Sequence, residues 1–315
     1  MNKDLEIWQF ALERLEEQES VTLLVVAESS GSSPGRQGFK MIVAEDEFCG
    51  SIGGGVMEVQ LVQDSRFKIQ DSRLIEQVHR KNVPDSSGMI CSGKQTVIFK
   101  ELAKADLITI QKIINYLENG IETYFEITEN SFQIIELHGF KQNFSFQNLG
   151  NNSFVYREKP GFTQNIYIIG GGHCALALSE IMSKMDFYIT VFDDRPNLNT
   201  LEKNKFANRI EVIESYEKIG EFINSDQNSY VVVMTLGYKF DEIVIRQLFD
   251  KNFKYFGVLG SKAKMKTLLK TLENEGFDKK RLSKIRTPVG LPINSHTPEE
   301  IAVSIAAEII AVKNS

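Results

Sequence analysis

Hydrophobic and polar positions follow different patterns in the two halves of the 315-residue chain. In the first half, apolar residues at 5–17 recur every three or four positions, which predicts an amphipathic surface helix. An apolar, β-branched run at 21–28 predicts a strand buried on both faces, and alternation within 39–52 predicts a β-hairpin. The other predicted elements are a loop at 29–38, a helix at 56–78, a strand at 97–99 and a hairpin at 121–137.

From position 165 onward, short apolar strands alternate with helical stretches, which predicts βαβ units and a parallel sheet. The final helix has the clearest start, because Thr297, Pro298 and Glu300 form a capping box with proline at the first helical position. The segment at 141–164 is polar and aperiodic and contains a Pro-Gly pair, so we place the domain boundary there.

These patterns predict an α/β protein with two domains, in keeping with the chain length. We expect an α+β domain at 1–155, a linker at 156–164, and a Rossmann-like, doubly wound parallel sheet at 165–315. The long apolar helices are compatible with a homodimer, although no residue pattern requires one.

Composition narrows the class of protein. With 42% apolar residues, 25% charged residues and a net charge of −6, the chain reads as soluble and globular, and a nucleic-acid partner is not expected. No apolar run approaches the roughly 18 residues of a membrane span, and the N-terminus lacks a signal-peptide layout, so we expect a cytoplasmic protein. The three cysteines, Cys49, Cys91 and Cys174, lack metal-site spacing. Cys91 lies in a Ser- and Gly-rich loop, where a reactive thiol and an inert one remain equally open.

A dinucleotide fingerprint follows the first strand of the second half. Gly170, Gly172 and Ala175 fit G-x-G-x-x-A between a strand and a helix, and Asp193 and Asp194 end the next strand. The first glycine permits the turn, the second permits approach of a pyrophosphate, and an acid can accept hydrogen bonds from a ribose diol. This predicts binding of NAD(P) or another nucleotide, with an acid favouring NAD over NADP.

Further candidates lie at the same edge of the predicted sheet, since the carboxyl ends of parallel strands meet there. His173 lies within the glycine turn and could contact a ligand or only cap the backbone. The candidates that follow the fourth and fifth strands are Thr235, Gly237 and Asp241, then Gly260, Ser261 and Lys262. Lysines in a first helical turn are locally unfavourable, which favours a bound anion there, although a solvated basic face is the common alternative.

A second glycine triplet, Gly53, Gly54 and Gly55, fails the fingerprint because Glu58 occupies the third position. A carboxylate there would repel a pyrophosphate, and the preceding strand belongs to a hairpin. We predict instead a nest of backbone N–H groups for an anion or oxo group. Side chains expected to gather around it, if the loop at 29–38 folds beside it, include Ser33, Arg36 and Lys40.

Together these stretches resemble the xanthine dehydrogenase accessory protein family, also called the XdhC/CoxI family. The resemblance covers nearly the whole chain. In the N-terminal, CoxI-like half it rests on SSPGRQGFKMIV, GSIGGGVMEVQL and MICSGKQTVIF. In the Rossmann half it rests on IYIIGGGHCALAL, VFDDRPN, GVLGSKAKMK and HTPEEIAVSIAAEIIA.

The resemblance implies a chaperone rather than a catalyst. Family members bind the molybdenum cofactor, protect it during sulfuration by a cofactor sulfurase, and hand it to apo-xanthine dehydrogenase or a related molybdenum hydroxylase. The cargo is a pterin that carries a dithiolene and a phosphate, so backbone donors and a few basic side chains suit it. The chain departs from many relatives at Val56, where they carry Cys, and at Ser92, where they carry Gly, which leaves Cys91 as the thiol candidate in these loops.

Two other functions stay open at this stage. The Rossmann half could serve an NAD(P)-dependent oxidoreductase, although His79 and His138 have no visible partner for proton transfer. The chain could also be a non-catalytic scaffold for assembly. Under the favoured hypothesis, the triplet at 53–55 faces the crevice of the Rossmann half and the cargo lies between them.

Overall fold

A computed structural model describes residues 3–66, 73–79, 93–136 and 142–315. The chain divides into two compact units between Gly161 and Phe162. This division falls inside the interval predicted as a linker, 156–164, whose first three positions belong to a strand. Cys91 and His138, and the His79 side chain, lie outside the described part of the protein.

The N-terminal unit is α+β, as predicted. Its helices are α1 (Lys3–Glu17), α2 (Gly55–Arg66) and α3 (Leu107–Asn119). Its strands are β1 (Ser20–Gly31), β2 (Lys40–Val43), β3 (Phe48–Gly50), β4 (Arg73–His79), β5 (Gly93–Ala103), β6 (Tyr124–Thr128), β7 (Phe132–Ile135), β8 (Phe144–Gly150) and β9 (Ser153–Glu158). They form two antiparallel sheets, ordered β3-β2-β1-β5-β4 and β7-β6-β9-β8.

Aromatic packing joins α1 to the smaller sheet. Trp8 is fully buried, with its ring 5.4 Å from that of Phe125 and 5.6 Å from that of Phe132. Burial of such side chains removes a large apolar area from water and stabilises the fold by roughly 1.5–3 kcal/mol for each residue. The amphipathic helix predicted at 5–17 therefore exists because its apolar face has a partner sheet.

Two predictions in this unit are wrong. The helix expected at 56–78 ends at Arg66, and β4 pairs with β5, with Leu74 opposite Ile98. Pairing with a buried strand outweighs the weak helical pattern of this stretch.

The segment expected to be irregular, 141–164, contains the hairpin β8–β9. Its tight turn places Asn151 and Asn152 at φ of 52° and 63°, a backbone conformation that asparagine tolerates and that two-residue hairpin turns require.

The C-terminal unit is a parallel sheet with helices on both faces. Its strands are β10 (Gln164–Ile169), β11 (Phe187–Asp193), β12 (Arg209–Val212), β13 (Asp226–Val233) and β14 (Phe253–Val258). Its helices are α4 (His173–Met182), α5 (Asn199–Glu202), α6 (Ile219–Phe222), α7 (Tyr238–Leu248), α8 (Lys262–Asn274), α9 (Lys279–Leu282) and α10 (Pro298–Lys313). Helices α4 and α10 line one apolar core, and α7 and α8 line the other.

The strand order is β12-β11-β10-β13-β14 with every neighbouring pair parallel, so the doubly wound prediction is confirmed. The chain winds outward in one direction from β10 and in the other from β13. The topological switch point therefore lies between these two strands, where open α/β sheets place their ligands at the carboxyl edge. Within the described ranges, no helix has both the length and the apolar character to cross a membrane.

Candidate functional site

The loops that follow β10 and β13 meet at the switch point. Gly170 adopts φ of +106°, and a Cβ atom there would lie 2.2 Å from the Met234 carbonyl oxygen. Its N–H donates to the Phe192 carbonyl oxygen at 2.7 Å. Only glycine permits both this backbone conformation and this approach, so Gly170 brings the two loops into direct contact. We call the space that they flank, at the carboxyl edge, the switch-point crevice.

Two helices begin at the switch-point crevice without a side-chain cap. Gly172 is the N-cap of α4 and Gly237 is the N-cap of α7, and neither offers a side chain to the first-turn N–H groups. A Cβ atom at either position would meet nothing within 4 Å. The first-turn donors and the positive ends of both helix dipoles are therefore accessible, which is the arrangement that binds phosphate and other anions.

Other long helices of the same unit supply their own caps. The Ser261 hydroxyl accepts from the Lys264 N–H at the start of α8, at 3.4 Å. The Thr297 hydroxyl accepts from the Glu300 N–H at the start of α10, at 3.2 Å, which confirms the predicted capping box. Bare glycine caps therefore belong to the two helices beside the switch point, where a ligand can take the place of the cap.

Asp241 is a buried carboxylate beside this crevice. Its Oδ1 accepts from the Thr235 N–H at 3.1 Å and from the Thr235 hydroxyl at 2.6 Å. The residue is 6% exposed, and burial raises the pKa of its carboxyl group despite these hydrogen bonds. Within the described part of the chain, no cation pairs with it.

Asp193 is also buried, but its charge is fully compensated. Arg195 donates from Nε to Oδ1 and from Nη2 to Oδ2, both at 2.8 Å, and the Gly171 N–H donates to Oδ2 at 2.7 Å. Burial opposes its ionisation, but these hydrogen bonds outweigh it and lower the pKa. The carboxylate anchors the glycine loop, so a ribose diol would have to displace Arg195. The neighbouring Asp194 is partly exposed.

Of the remaining candidates at this edge, His173, Ser261 and Lys262 are exposed and Gly260 is partly buried. His173 opens α4 and Lys262 opens α8, both on the surface. The Leu259 N–H donates to the Val233 carbonyl oxygen at 2.8 Å, which places the turn at Gly260 next to the end of β13. Among the side chains that the structure describes, neither Lys262 nor Lys264 forms an ion pair.

In the N-terminal unit, the triplet does lie beside the loop at 29–38, as predicted. Gly53 has φ of +123°, and a Cβ atom there would lie 2.5 Å from the Gly35 nitrogen. The start of β5 approaches the same loop, since a Cβ atom on Gly93 would lie 2.4 Å from the Ser33 nitrogen. Three backbone segments therefore converge around the triplet.

The nest at this triplet holds the chain's own carboxylate. Glu58 Oε2 accepts from the Ser51 hydroxyl at 2.7 Å, the Ile52 N–H at 2.9 Å and the Gly54 N–H at 3.0 Å. The Gly53 N–H donates to the Ser51 hydroxyl oxygen at 3.1 Å. The N–H groups of Gly53 and Gly54, two of the donors predicted for an external anion, are thus already paired. Gly55 is exposed and begins α2.

Gln95, which the sequence did not single out, joins these loops. It is fully buried, and its Oε1 accepts from the Ser33 hydroxyl at 2.7 Å and from the Gly35 N–H at 3.2 Å. The signal in the sequence that could have identified Gln95 is a polar residue at the start of an apolar strand. In the fold, this position faces a Ser-rich loop. Ser33 is accordingly buried, whereas Arg36 is exposed and donates to the Gly31 carbonyl oxygen at 3.3 Å.

Lys40 does not join the triplet, which corrects the prediction. Its ammonium is buried in a different cluster, 2.6 Å from Asp4 and 2.5 Å from Glu158, and the Tyr156 hydroxyl donates to Glu158 at 2.6 Å. Burial opposes its charge, but the two carboxylates outweigh this and raise the pKa of Lys40. Strand alternation directs this side chain into the core of the unit.

Neither described cysteine is an activated thiol. Cys49 and Cys174 are half-buried and free, and burial raises the pKa of each thiol. No group of three potential metal ligands occurs in the described ranges. A polar cavity of about 370 Å³ lies at the opposite, amino-terminal edge of the parallel sheet. It is lined by Gln164, Gln227, Asn228, Tyr230, Lys254, Lys313 and Asn314.

Comparison with known proteins gives two family matches. Residues 166–309 match the model of the XdhC Rossmann domain, and residues 14–78 match that of the XdhC and CoxI family. Over 306 residues the chain is 23% identical to YqeB, an uncharacterized protein of Escherichia coli K12, covering 96% of this chain and 45% of that protein. The chain thus spans less than half of that relative.

Two further matches run nearly end to end. The chain is 26% identical over 323 residues to a Bacillus subtilis 168 protein described as a probable subunit of xanthine dehydrogenase, covering 95% of each. A crystal structure described as a xanthine dehydrogenase from Bacillus halodurans superposes with a TM-score of 0.74 at 23% identity, covering 99% of this chain and 96% of that one. This likeness confirms the fold.

Proposed function

Because the chain belongs to the XdhC and CoxI family, we propose that it is an accessory protein that binds the molybdenum cofactor and delivers it to apo-xanthine dehydrogenase or a related molybdenum hydroxylase. The Bacillus subtilis relative, whose name associates it with xanthine dehydrogenase, supports this client class. A cofactor sulfurase and a second copy of the chain are further proposed partners.

The observation that carries the proposal is the switch-point crevice, with its two bare helix N-termini at Gly172 and Gly237. The cargo carries a phosphate, which the first-turn donors of α4 suit, since that turn contains no acidic residue, whereas the first turn of α7 contains Asp241. Binding through backbone donors and single side chains also permits release, which a delivery protein requires.

An NAD(P)-dependent oxidoreductase is the second candidate, favoured by the glycine turn at the start of α4. Against it, Asp193 is fully buried and paired with Arg195 and the loop itself. Asp193, which should accept hydrogen bonds from the adenosine ribose, therefore has no free carboxylate oxygen in this arrangement. Titration with NADH, monitored by nicotinamide fluorescence, separates the two functions. Only an oxidoreductase must bind NADH and turn it over.

The proposal is tested with cofactor released from a mature molybdenum hydroxylase. The purified chain is mixed with it and passed over a sizing column, and molybdenum and pterin are measured in the protein peak. The peak fraction is then added to apo-hydroxylase. We expect co-elution and recovery of hydroxylase activity.

Matched variants locate the binding site. Gly172→Val places a branched side chain in the open space before α4, without the strain of a positive φ. Gln227→Val adds a similar side chain at an exposed position on the opposite edge. Co-elution should fall at least about tenfold in the first variant and persist in the second. Wild-type protein that neither retains nor transfers the cofactor would overturn the proposal.

A further inference from the structure

The carboxylate of Asp241 has one oxygen that the fold leaves unused. Both hydrogen bonds from Thr235 go to Oδ1. Within the described residues Oδ2 accepts no hydrogen bond. It is also not one of the atoms that are both unpaired and fully shielded from solvent. A residue that is 6% exposed therefore keeps one acceptor oxygen in contact with solvent.

The position of this oxygen links it to the switch-point crevice. Thr235, which holds Oδ1, follows β13 directly, and a Cβ atom on Gly170 would lie 2.8 Å from the Thr235 Cα. Asp241 itself lies in the first turn of α7, one turn after the bare cap Gly237. The open oxygen is therefore part of the same edge as the two helix N-termini.

The charge around Asp241 selects the kind of ligand group. A buried carboxylate without a cation lacks compensation, which hydrogen-bond donors of a ligand would supply. A metal ion would need further oxygen ligands, and the described residues contain no cluster of three metal-ligating side chains. Since Oδ2 has two acceptor positions, a group with adjacent N–H donors fits it.

We propose that Asp241 accepts hydrogen bonds from the amino-pyrimidinone edge of the bound heterocycle. In a pterin, this edge presents the adjacent N3–H and 2-amino donors. The inference rests on the proposed function, because the molybdenum cofactor carries this edge. The N-terminus of α4, whose first turn contains no acid, would then bind the phosphate while Asp241 discriminates the ring. Guanine presents the same pair of donors, so a guanine nucleotide is the other source of this chemistry.

Two fluorescent probes isolate the 2-amino group. Pterin carries it, and lumazine has a carbonyl oxygen in its place. In titrations that follow ligand fluorescence, the wild-type protein should bind pterin at least about tenfold more tightly than lumazine, as expected for one charge-assisted hydrogen bond. Guanosine and inosine monophosphates also differ in the 2-amino group. Comparing their affinities shows whether Asp241 binds the same edge on a purine.

Asp241→Asn should reduce the preference for pterin over lumazine to about twofold or less, because the amide presents a donor beside its acceptor. Asp226→Asn is the matched control, since it makes the same substitution at an exposed position on the opposite edge of the sheet and keeps the Asp241 carboxylate. It should retain the preference. Circular dichroism verifies that both variants fold.

The proposal is overturned if the wild-type protein does not distinguish the probes or binds neither, or if Asp241→Asn weakens both probes equally and keeps the preference. Molybdenum co-elution of the wild-type protein is measured in the same preparation. Co-elution without probe discrimination rejects the role of Asp241 and leaves the accessory function standing. Loss of co-elution and transfer rejects the accessory function itself.

Discussion

The chain contains two Gly-Gly-Gly loops, each feeding a helix, and they differ in what holds their backbone donors. At 53–55, Glu58 reaches back and accepts from Ile52 and Gly54, so the nest is closed by the protein. At 170–172, Asp193 likewise accepts from the Gly171 N–H, but the helix that follows starts at Gly172 without a side-chain cap and with open space in front of it. The two similar sequences therefore form one loop that is closed by its own carboxylate and one that leads into an open helix N-terminus.

The difference teaches that a glycine-rich turn becomes a candidate site through its unpaired donors, not through its glycines. By its position in the sequence Glu58 would repel a pyrophosphate, and in the structure it takes the place of the anion. Substitutions that open the closed loop, block the open one, or change a residue outside both loops test this difference.

The largest effect is expected at Lys40, which the sequence grouped with the closed loop. Lys40→Met leaves Asp4 and Glu158 buried without their cation and should destabilise the N-terminal unit by about 3–5 kcal/mol. Trp8, the sole tryptophan, is buried in that unit, so its fluorescence during urea unfolding reports the loss. Unchanged stability together with loss of cofactor binding would instead indicate that Lys40 belongs to the predicted binding site at the 53–55 triplet.

The open loop itself contains one rigid and one permissive glycine. Gly170→Ala forces a Cβ atom against the Met234 carbonyl group at positive φ and should cost about 3 kcal/mol. Gly172→Ala enters open space at negative φ and should stay within about 0.5 kcal/mol of wild type. Hydrogen exchange of β10 measures both. Equal costs would mean that the space before α4 is not open.

Opening the closed loop is expected to have a smaller effect. Glu58→Ala leaves the Ile52 and Gly54 N–H groups without an acceptor and should destabilise the N-terminal unit by about 1–3 kcal/mol. Formate or sulfate should restore part of this stability by entering the vacated nest, whereas chloride at equal ionic strength controls for screening. Absence of any anion effect would argue against a nest geometry.

The pH dependence of the N-terminal unit should include a contribution from Glu158 in the Lys40 cluster. Burial raises the pKa of Glu158 from 4.5 to about 7, so the folded state holds a proton that the unfolded state has lost. Stability should therefore fall as pH rises from about 4.5 to about 7. Lys40 stays charged throughout this range. Glu158→Gln should flatten the slope measured by urea unfolding at a series of pH values.

Much of the fold follows from local patterns. The helix in the 5–17 window, the hairpin at 39–52 and the parallel strands all carry periodicity that burial in the structure matches. The strand β4 could not be predicted, because its pairing with β5 is a tertiary contact. The β8–β9 hairpin had a local signal, the Asn151-Asn152 turn, within a stretch that otherwise looks irregular.

The candidate site was predicted in part. Sequence spacing identified Gly170, Gly172 and the Thr235–Asp241 loop, because parallel strands bring their carboxyl ends to one edge. It could not predict that Asp193 turns inward to Arg195, or that Gln95 ties the loops of the other unit. Both depend on side-chain directions that are fixed only when distant segments pack.

The most direct test is amide hydrogen exchange with and without the molybdenum cofactor, read peptide by peptide. An open loop that binds cargo gains protection, and a closed loop does not. We predict that cofactor protects 170–176 and 235–241 and leaves 51–58 unchanged. Protection confined to 51–58, with 170–176 and 235–241 unaffected, would contradict the assignment of the cargo to the switch-point crevice.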